Sequence, residues 1–416
     1  MSSNKLIPDL RFPEFENEGE WEEKLVSQLA EYENGKAHEQ DINEEGKYVV
    51  VNSKFISTDG EVRKFTNSAN CIARADDILM VLSDVPNGRA IAKCFYVDRD
   101  NFYTVNQRIC KLTPTNADSK ILYYLLNRNS HFLSFDDGVK QTNLRNEDVL
   151  NCPIILPKSP QEQQKIASCL SSLDELISAH NIKLELLKDH KKGLMQNLFP
   201  HPSASSGSGT VAEPAEAKVP KLRFKEFEKD GEWVEKKLGE VFSTYSGGTP
   251  STTEKEFYGG KIPFIRSAEI SKDKTELFLT EAGLNNSSAK MVKKGDLLIA
   301  LYGANSGDVA ISKIDGAINQ AILCLKSEFS NEFTCHYLFH KKDWIIARYL
   351  QGGQGNLSGD IVKSIELSFP SKAEQQKIAA CLSSLDSLIT AQAEKIEQLK
   401  WHKKGLMQGL FPRIND

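Results

Sequence analysis

Apolar residues recur at steps of three and four along residues 161–200: Ile166, Leu170, Leu173, Ile177, Leu184, Leu187, Leu194 and Leu198. The same spacing runs through 373–412, at Ile378, Leu382, Leu385, Ile389, Ile396, Leu399, Leu406 and Leu410. This is the narrow a/d stripe of a heptad pattern, and it predicts one long helix for each stretch. Pro160 suits the first turn of the first helix, and Pro200 and Pro412 stop both. At roughly 1.5 Å per residue, a helix of about 38 residues spans on the order of 57 Å. A stripe so long and narrow needs a partner helix.

The two stretches are also near copies, with 29 of 40 positions identical at an offset of 212. Both carry Glu-Gln-Gln-Lys-Ile-Ala, from Glu162 and Glu374, and Cys-Leu-Ser-Ser-Leu-Asp, from Cys169 and Cys381. Both close with His-Lys-Lys-Gly-Leu-Met-Gln, from His190 and His402. The stripe breaks at matching places, His180 with Gln392 and Lys191 with Lys403. A repeat this strong sets the architecture. Each helix is expected to take the other as an antiparallel partner inside one chain; a dimerising coiled coil between chains is the alternative.

The repeat extends to a short segment, because residues 8–24 and 220–236 share 12 of 17 positions. Leu10, Phe12, Phe15 and Trp21 answer Leu222, Phe224, Phe227 and Trp233. These segments read as straps that close a domain, or else as partner-binding elements. Between the repeated parts lie 25–158 and 238–371, whose sequences diverge. In the first, β-like runs at 48–51, 77–82, 91–97, 109–112 and 153–156 accompany one helical stretch at 119–129. Landmarks recur in order: Ala75-Asp76-Asp77-Ile78-Leu79 answers Lys294-Gly295-Asp296-Leu297-Leu298, Asn106-Gln107 answers Asn319-Gln320, Asn143-Leu144 answers Asn356-Leu357, and Pro157 answers Pro370. Similar flanks around dissimilar middles point to two variable modules on a constant frame. The expected fold is α+β: two α/β domains joined by two long antiparallel helices with internal pseudo-two-fold symmetry. The expected segments are 1–158 (strap and first domain), 159–200 (first helix), 201–219 (a Ser/Ala/Gly/Pro-rich flexible linker), 220–371 (second domain) and 372–416 (second helix).

Composition narrows this picture only slightly. The chain has 416 residues, 40% hydrophobic and 26% charged, enough for two or more cores. No apolar run reaches membrane-spanning length, and 1–11 has no signal-peptide core. The eight cysteines form no Cys-x-x-Cys pair, which fits a reduced, cytoplasmic protein. A net charge of −5 does not advertise a nucleic-acid binder, so any such surface must be local.

Enzyme signatures are missing: no phosphate-binding Gly-x-x-x-x-Gly-Lys, no Gly-x-Gly-x-x-Gly and no His-Glu-x-x-His. His336 and His340, beside Cys335, are the nearest metal candidates, but helix packing accounts for them more simply. Glycine-rich polar loops recur in both modules, at 246–250, 302–307 and 351–356, with counterparts at 83–89 and 138–143. Small residues let backbone approach a phosphate, Asn and Gln pair with adenine edges, and Arg and Lys suit guanine. The basic candidates are Lys54, Arg63, Lys64, Arg89, Lys140 and Arg145 in the first module, and Arg266, Lys272, Lys274, Lys290, Lys293 and Lys294 in the second.

The combination of these duplicated helices with Lys261-Ile262-Pro263-Phe264-Ile265-Arg266, Lys294-Gly295-Asp296-Leu297-Leu298, Gly316-Ala317-Ile318-Asn319-Gln320 and Asn356-Leu357-Ser358 resembles the specificity subunit of type I restriction–modification systems. The first module departs from it, lacking the Ile-Pro-Phe-Ile-Arg run and the Gly-Ala-Ile before Asn106. The resemblance implies a non-catalytic DNA-recognition subunit. Each domain would read one half of a bipartite, asymmetric double-stranded DNA site, and the helices would fix the spacer. It also implies partners: two methyltransferase subunits and restriction/motor subunits. Those partners would carry S-adenosylmethionine, ATP and Mg, with no cofactor in this chain. The residues expected at DNA are Arg89, Asn106, Gln107, Lys140, Gln141 and Asn143 in the first module. In the second they are Arg266, Asn305, Ser306, Asn319, Gln320, Gln354 and Asn356. The competing reading is an adaptor without a DNA role, which the net charge favours.

Overall fold

The computed structural model describes residues 6–38, 40–86, 88–200, 218–349 and 356–412. Most of the expected linker, 201–217, and Gln354 fall outside them. The chain divides into two compact units, Met1–Asn181 with Lys395–Asp416, and Ile182–Glu394.

The two heptad stretches form helices of 39 residues each, Pro160–Leu198 and Lys372–Leu410. Each starts under a serine: the hydroxyls of Ser159 and Ser371 accept from the backbone N–H of Glu162 and Glu374, both at 3.4 Å. The division into units cuts through both helices. Each unit therefore owns the first part of one helix and the last part of the other. In the first unit, Ile166, Ala167 and Leu170 share a core with Leu406 and Leu410. In the second, Leu194, Met195 and Leu198 share one with Ile378, Ala379 and Leu382. Start meets end in both, so the helices run antiparallel within each unit. Every residue of the two apolar stripes is buried or half-buried.

The breaks in the stripe have a partner of their own. Lys191 Nζ lies 2.5 Å from Asp386 Oδ1 in the second unit, and Lys403 Nζ lies 2.5 Å from Asp174 Oδ1 in the first. Each helix end thus answers a carboxylate near the start of its companion.

The repeated segments near residues 10 and 222 are straps. Arg11 grips the buried Glu162 with two bonds, Nε to Oε1 at 2.7 Å and Nη2 to Oε2 at 2.8 Å. Arg223 grips Glu374 in the same way, at 2.8 and 2.7 Å. Leu10 N–H donates to the carbonyl of Gly409 at 2.8 Å, and Leu222 N–H to that of Asn197 at 2.9 Å. Each strap therefore binds the start of one long helix to the end of the other. Fork-to-fork pairing of this kind is the strong form of an ion pair.

Each module is built on two sheets. In the first unit, a four-stranded antiparallel sheet takes the order Ala30–Asn34, Ile109–Pro114, Ile78–Val81, Cys94–Tyr96. The central strand Ile78–Val81 is buried at all four positions. It reads as a continuous apolar run because both its faces are covered, one by Leu122, Leu126 and Phe132 and the other by Val49, Val51 and Phe55. Beside this sheet lies a three-stranded one, in which Tyr48–Val51 pairs in parallel with Tyr103–Val105. The second unit repeats the plan. Ser243–Ser246, Ile322–Lys326, Leu297–Ala300 and Val309–Ile311 form the antiparallel sheet. Tyr258–Ile265 pairs in parallel with Gly316–Ile318 in its neighbour. The landmark turns coincide: Asp76 and Gly295 both take left-handed backbone, at φ 72° and 95°. The following aspartates accept from the backbone three residues earlier, Arg74 N–H to Asp77 and Lys293 N–H to Asp296, both at 2.8 Å. No helix among the described residues is long and apolar enough to cross a membrane.

Candidate nucleic-acid interface

Strand register decides which loops meet. In the first unit Asn34 pairs with Cys110 and Val81 with Ile109. Two strands therefore leave the four-stranded sheet, and a third enters it, at one end. The parallel pair of the neighbouring sheet finishes there as well, since Val51 is level with Val105 and Asn106 N–H donates to the Val51 carbonyl at 3.0 Å. Leu82 N–H then donates to the Arg108 carbonyl at 2.9 Å, and Leu144 N–H to the Leu82 carbonyl at 2.8 Å. A two-residue ladder, Ser83–Asp84 with Thr142–Asn143, completes the join. Segments 35–38, 52–54, 82–86, 88–89, 106–108 and 141–144 thus gather at one edge of the module.

The second unit makes the same joins with other residues. Ser246 pairs with Leu323, Ala300 with Ile322 and Ile265 with Ile318. Leu301 N–H donates to Ala321 O at 2.8 Å, and Leu357 N–H to Leu301 O at 2.9 Å. Loops 247–250, 266–269, 301–307, 319–321 and 356–358 gather as a result.

Every residue expected at DNA that the structure describes sits in one of these two clusters or on its rim. Arg89, Gln107, Lys140, Gln141, Asn143, Gln320 and Asn356 are exposed; Asn106, Asn305 and Asn319 are half-buried. Several already make bonds that orient them. Gln141 Nε2 donates to Ser83 Oγ at 2.7 Å, Gln320 Oε1 accepts from Thr249 Oγ1 at 2.7 Å, and Asn356 Oδ1 accepts from Gly303 N–H at 3.2 Å.

Two residues depart from the expectation. Ser306 is only 9% exposed, and its hydroxyl donates to Leu301 O at 3.0 Å while accepting from Leu357 N–H at 3.3 Å. It holds the loop from inside. Arg266 is half-exposed, but its guanidinium is shared between Glu269 and Glu276. Although burial opposes it, hydrogen bonds from Arg266, Thr275 and backbone N–H groups hold the Glu269 carboxyl at about 2. Two carboxylates cancel the cation there, so Arg266 fixes its turn more than it offers charge.

The structure adds residues that pattern reading missed. Arg108 and Lys36 are exposed on the gathered loops of the first module. Asn52 holds the place of Arg266, at the end of the parallel strand, and accepts from Phe55 N–H at 2.9 Å. Arg108 directly follows Asn106-Gln107, so its neighbourhood was the available signal. Gly35 and Gly247 are required by close approach. A Cβ on Gly35 would lie 2.0 Å from the Asn106 carbonyl oxygen, and one on Gly247 would lie 1.7 Å from that of Ile318.

The histidines of the long helix Asn331–Tyr349 pack. The His340 ring stacks on Phe199 at 5.8 Å, and His336 Nε2 lies 3.3 Å from Ser383 Oγ. Burial, and then the nearby Lys191, push the His336 imidazole down to about 4. No group of three His, Cys, Asp or Glu residues that could hold a metal occurs among the described residues.

The profile of the family described as "Type I restriction modification DNA specificity domain" matches residues 18–188 and again 230–400. The putative type I restriction enzyme MjaX specificity subunit of Methanocaldococcus jannaschii is 29% identical, across 76% of this chain and 73% of its own. The MjaVIII specificity subunit of the same organism is 28% identical, across 98% and 94%. Among solved structures, the type I restriction–modification S subunit from M. genitalium superposes with a TM-score of 0.65 over 98% of this chain and 100% of its own, at 18% identity. That last likeness is one of fold.

Proposed function

The chain belongs to the type I restriction–modification DNA specificity family, and on that premise we propose that it reads a bipartite, asymmetric DNA site with one half-site per module. It is a specificity subunit, a non-catalytic component that recognises DNA sequence. The observation that carries the finer reading is the twofold gathering of loops. Two modules with one topology bring dissimilar polar side chains to the same sheet end, on a frame whose helices, caps and ion pairs are repeated. In this reading Arg89, Lys140, Gln141, Asn143, Gln107 and Asn106 face the first half-site. Asn305, Asn319, Gln320 and Asn356 face the second, with Arg266 setting its turn. The long helices, each about 58 Å, set the unread spacer; half-sites on one face of B-DNA recur every 34–36 Å or so.

The chain works with two methyltransferase subunits, which supply S-adenosylmethionine, and with restriction/motor subunits, which supply ATP and Mg chemistry, in the cytoplasm. The target adenine must leave the base stack to react, and that step belongs to the methyltransferases. The test is methylome sequencing of a methylation-deficient host that carries this chain with its methyltransferase. A bipartite adenine-methylated motif is expected, and exchanging residues 25–158 should change one half alone. A motif that changes in both halves, or none from an assembled complex, defeats the reading. Binding should also weaken steeply with salt; salt-independent binding points instead to the adaptor role.

A further inference from the structure

Two aliphatic side chains stand in water at the gathered loops of the first module. Val139 is 75% exposed and Val85 is 65% exposed. The backbone beneath them is firmly held. Asp84 accepts from the N–H groups of Val85, Ala90 and Ile91, at 2.9, 2.6 and 3.1 Å. Asp137 Oδ1 accepts from Val139 N–H at 2.9 Å and Lys140 N–H at 3.0 Å. Asp136 Oδ1 takes Gly138 N–H and Thr142 Oγ1, both at 3.0 Å. Both loops spring from one ladder, in which Thr142 faces Asp84 and Asn143 faces Ser83. Their tips consequently leave from the same place. An apolar group held stiffly in water gains nothing for the free protein, while rigidity lowers the cost of binding a ligand there.

The surroundings select the ligand. Lys140 adjoins Val139, Arg89 closes the Val85 loop, and Arg108 lies on the adjoining loop, all three exposed. Cations around two isopropyl groups fit a polyanion that carries a small apolar spot. On a base edge in the major groove that spot is the C5-methyl group of a pyrimidine. We propose that Val85 and Val139 read C5-methyl groups, of thymine or of 5-methylcytosine, in the half-site of the first module. The inference rests on the DNA-reading role proposed above. The second module differs at the equivalent loop, where Tyr302 is the exposed large apolar residue.

The test uses the assembled methyltransferase complex and a duplex bearing its methylome-defined motif. Uracil replaces every thymine of the first half-site, which deletes only methyl groups. The dissociation constant should rise about fourfold per contacted methyl, as expected for burying one such group. The double variant Val85→Ala/Val139→Ala should lose that response and keep its response to uracil in the second half-site. A parallel duplex carries 5-methylcytosine for each cytosine of the first half-site. A response there, with none to uracil, assigns the methyl to cytosine and retains the proposal. Equal affinity for all first-half duplexes overturns it. So does a double variant that still responds as the parent does. A complex that binds no duplex defeats the DNA-reading role itself, so the two failures are distinguishable.

Discussion

Glu162 and Glu374 hold equivalent places, and their surroundings differ by one proton donor. Each is buried at the start of a long helix and gripped by the arginine of its strap. In the first unit the indole N–H of Trp21 adds a third bond, to Glu162 Oε1 at 3.3 Å. In the second, the matching Trp233 is just as buried, but its Nε1 has no hydrogen-bond partner among the described residues. The companion carboxylates show a similar drift. Asp174 accepts from Tyr124 Oη at 2.7 Å, whereas Asp386 lies 3.9 Å from His336 Nε2. Ion-pair locks have therefore been kept in both units while their auxiliary bonds diverged. A lost auxiliary bond is a modest cost, but an unpaired buried charge is a severe one.

Breaking the locks should give the largest effect. Glu162→Ala or Glu374→Ala leaves a buried arginine unpaired and should cost about 3–5 kcal/mol. Hydrogen exchange read peptide by peptide should place that loss in the variant's own unit; a loss shared equally by both units would refute the comparison. Next comes the histidine that only the second unit carries. Its folded value of about 4 lies below the ordinary value of 6.5, so the unfolded chain binds the extra proton first. Stability of the second unit should fall as pH drops from about 7 to 4, by up to roughly 3 kcal/mol. His336→Tyr should flatten that dependence, and an unchanged pH profile would exclude His336 as its source.

Gly35→Ala and Gly247→Ala form a matched pair. Each pushes a Cβ into backbone and should cost on the order of 1–3 kcal/mol, with loss of affinity for that module's half-site in competition binding. An unaltered half-site affinity would show that the gathered loops do not contact it. The smallest effect sharpens the opening contrast. Trp21→Phe should cost about 1 kcal/mol more than Trp233→Phe in denaturant titration, because only Trp21 spends its N–H on the carboxylate. Equal costs would mean that the 3.3 Å contact contributes nothing.

The helices, straps and repeat were legible in advance because heptad spacing and duplication are local signals. The strands at 48–51 and 153–156 were readable too, as short runs of β-branched and aliphatic residues. Strands Glu22–Leu25 and Ala30–Asn34 were not, since they are charge-rich and, apart from Ala30, bury no residue fully. The clusters were legible only as separate loops. That residues 82, 108 and 144 meet depends on register, which no local pattern carries. Ser306 was misplaced for the same reason: a polar residue in a glycine-rich loop reads as exposed until its partners, Leu301 and Leu357, are known. Arg266 reads as a free cation until Glu276, ten positions later, folds back on it.

The exchange of helix ends has a consequence in time. The first unit contains the amino-terminal strap, yet Trp21 is covered by Phe411, with ring centroids 6.2 Å apart. Leu10 bonds to Gly409. A ribosome delivers Leu10 and Trp21 before the second unit is made, and Gly409 and Phe411 only after it. The first unit must wait, partly unsealed, while the second is made. Its closure then follows synthesis of the whole second unit. A chain that stopped before Leu406 would lack the part of the Trp21 cluster that Leu406, Leu410 and Phe411 supply, and would expose apolar surface of the kind that chaperones and proteases recognise.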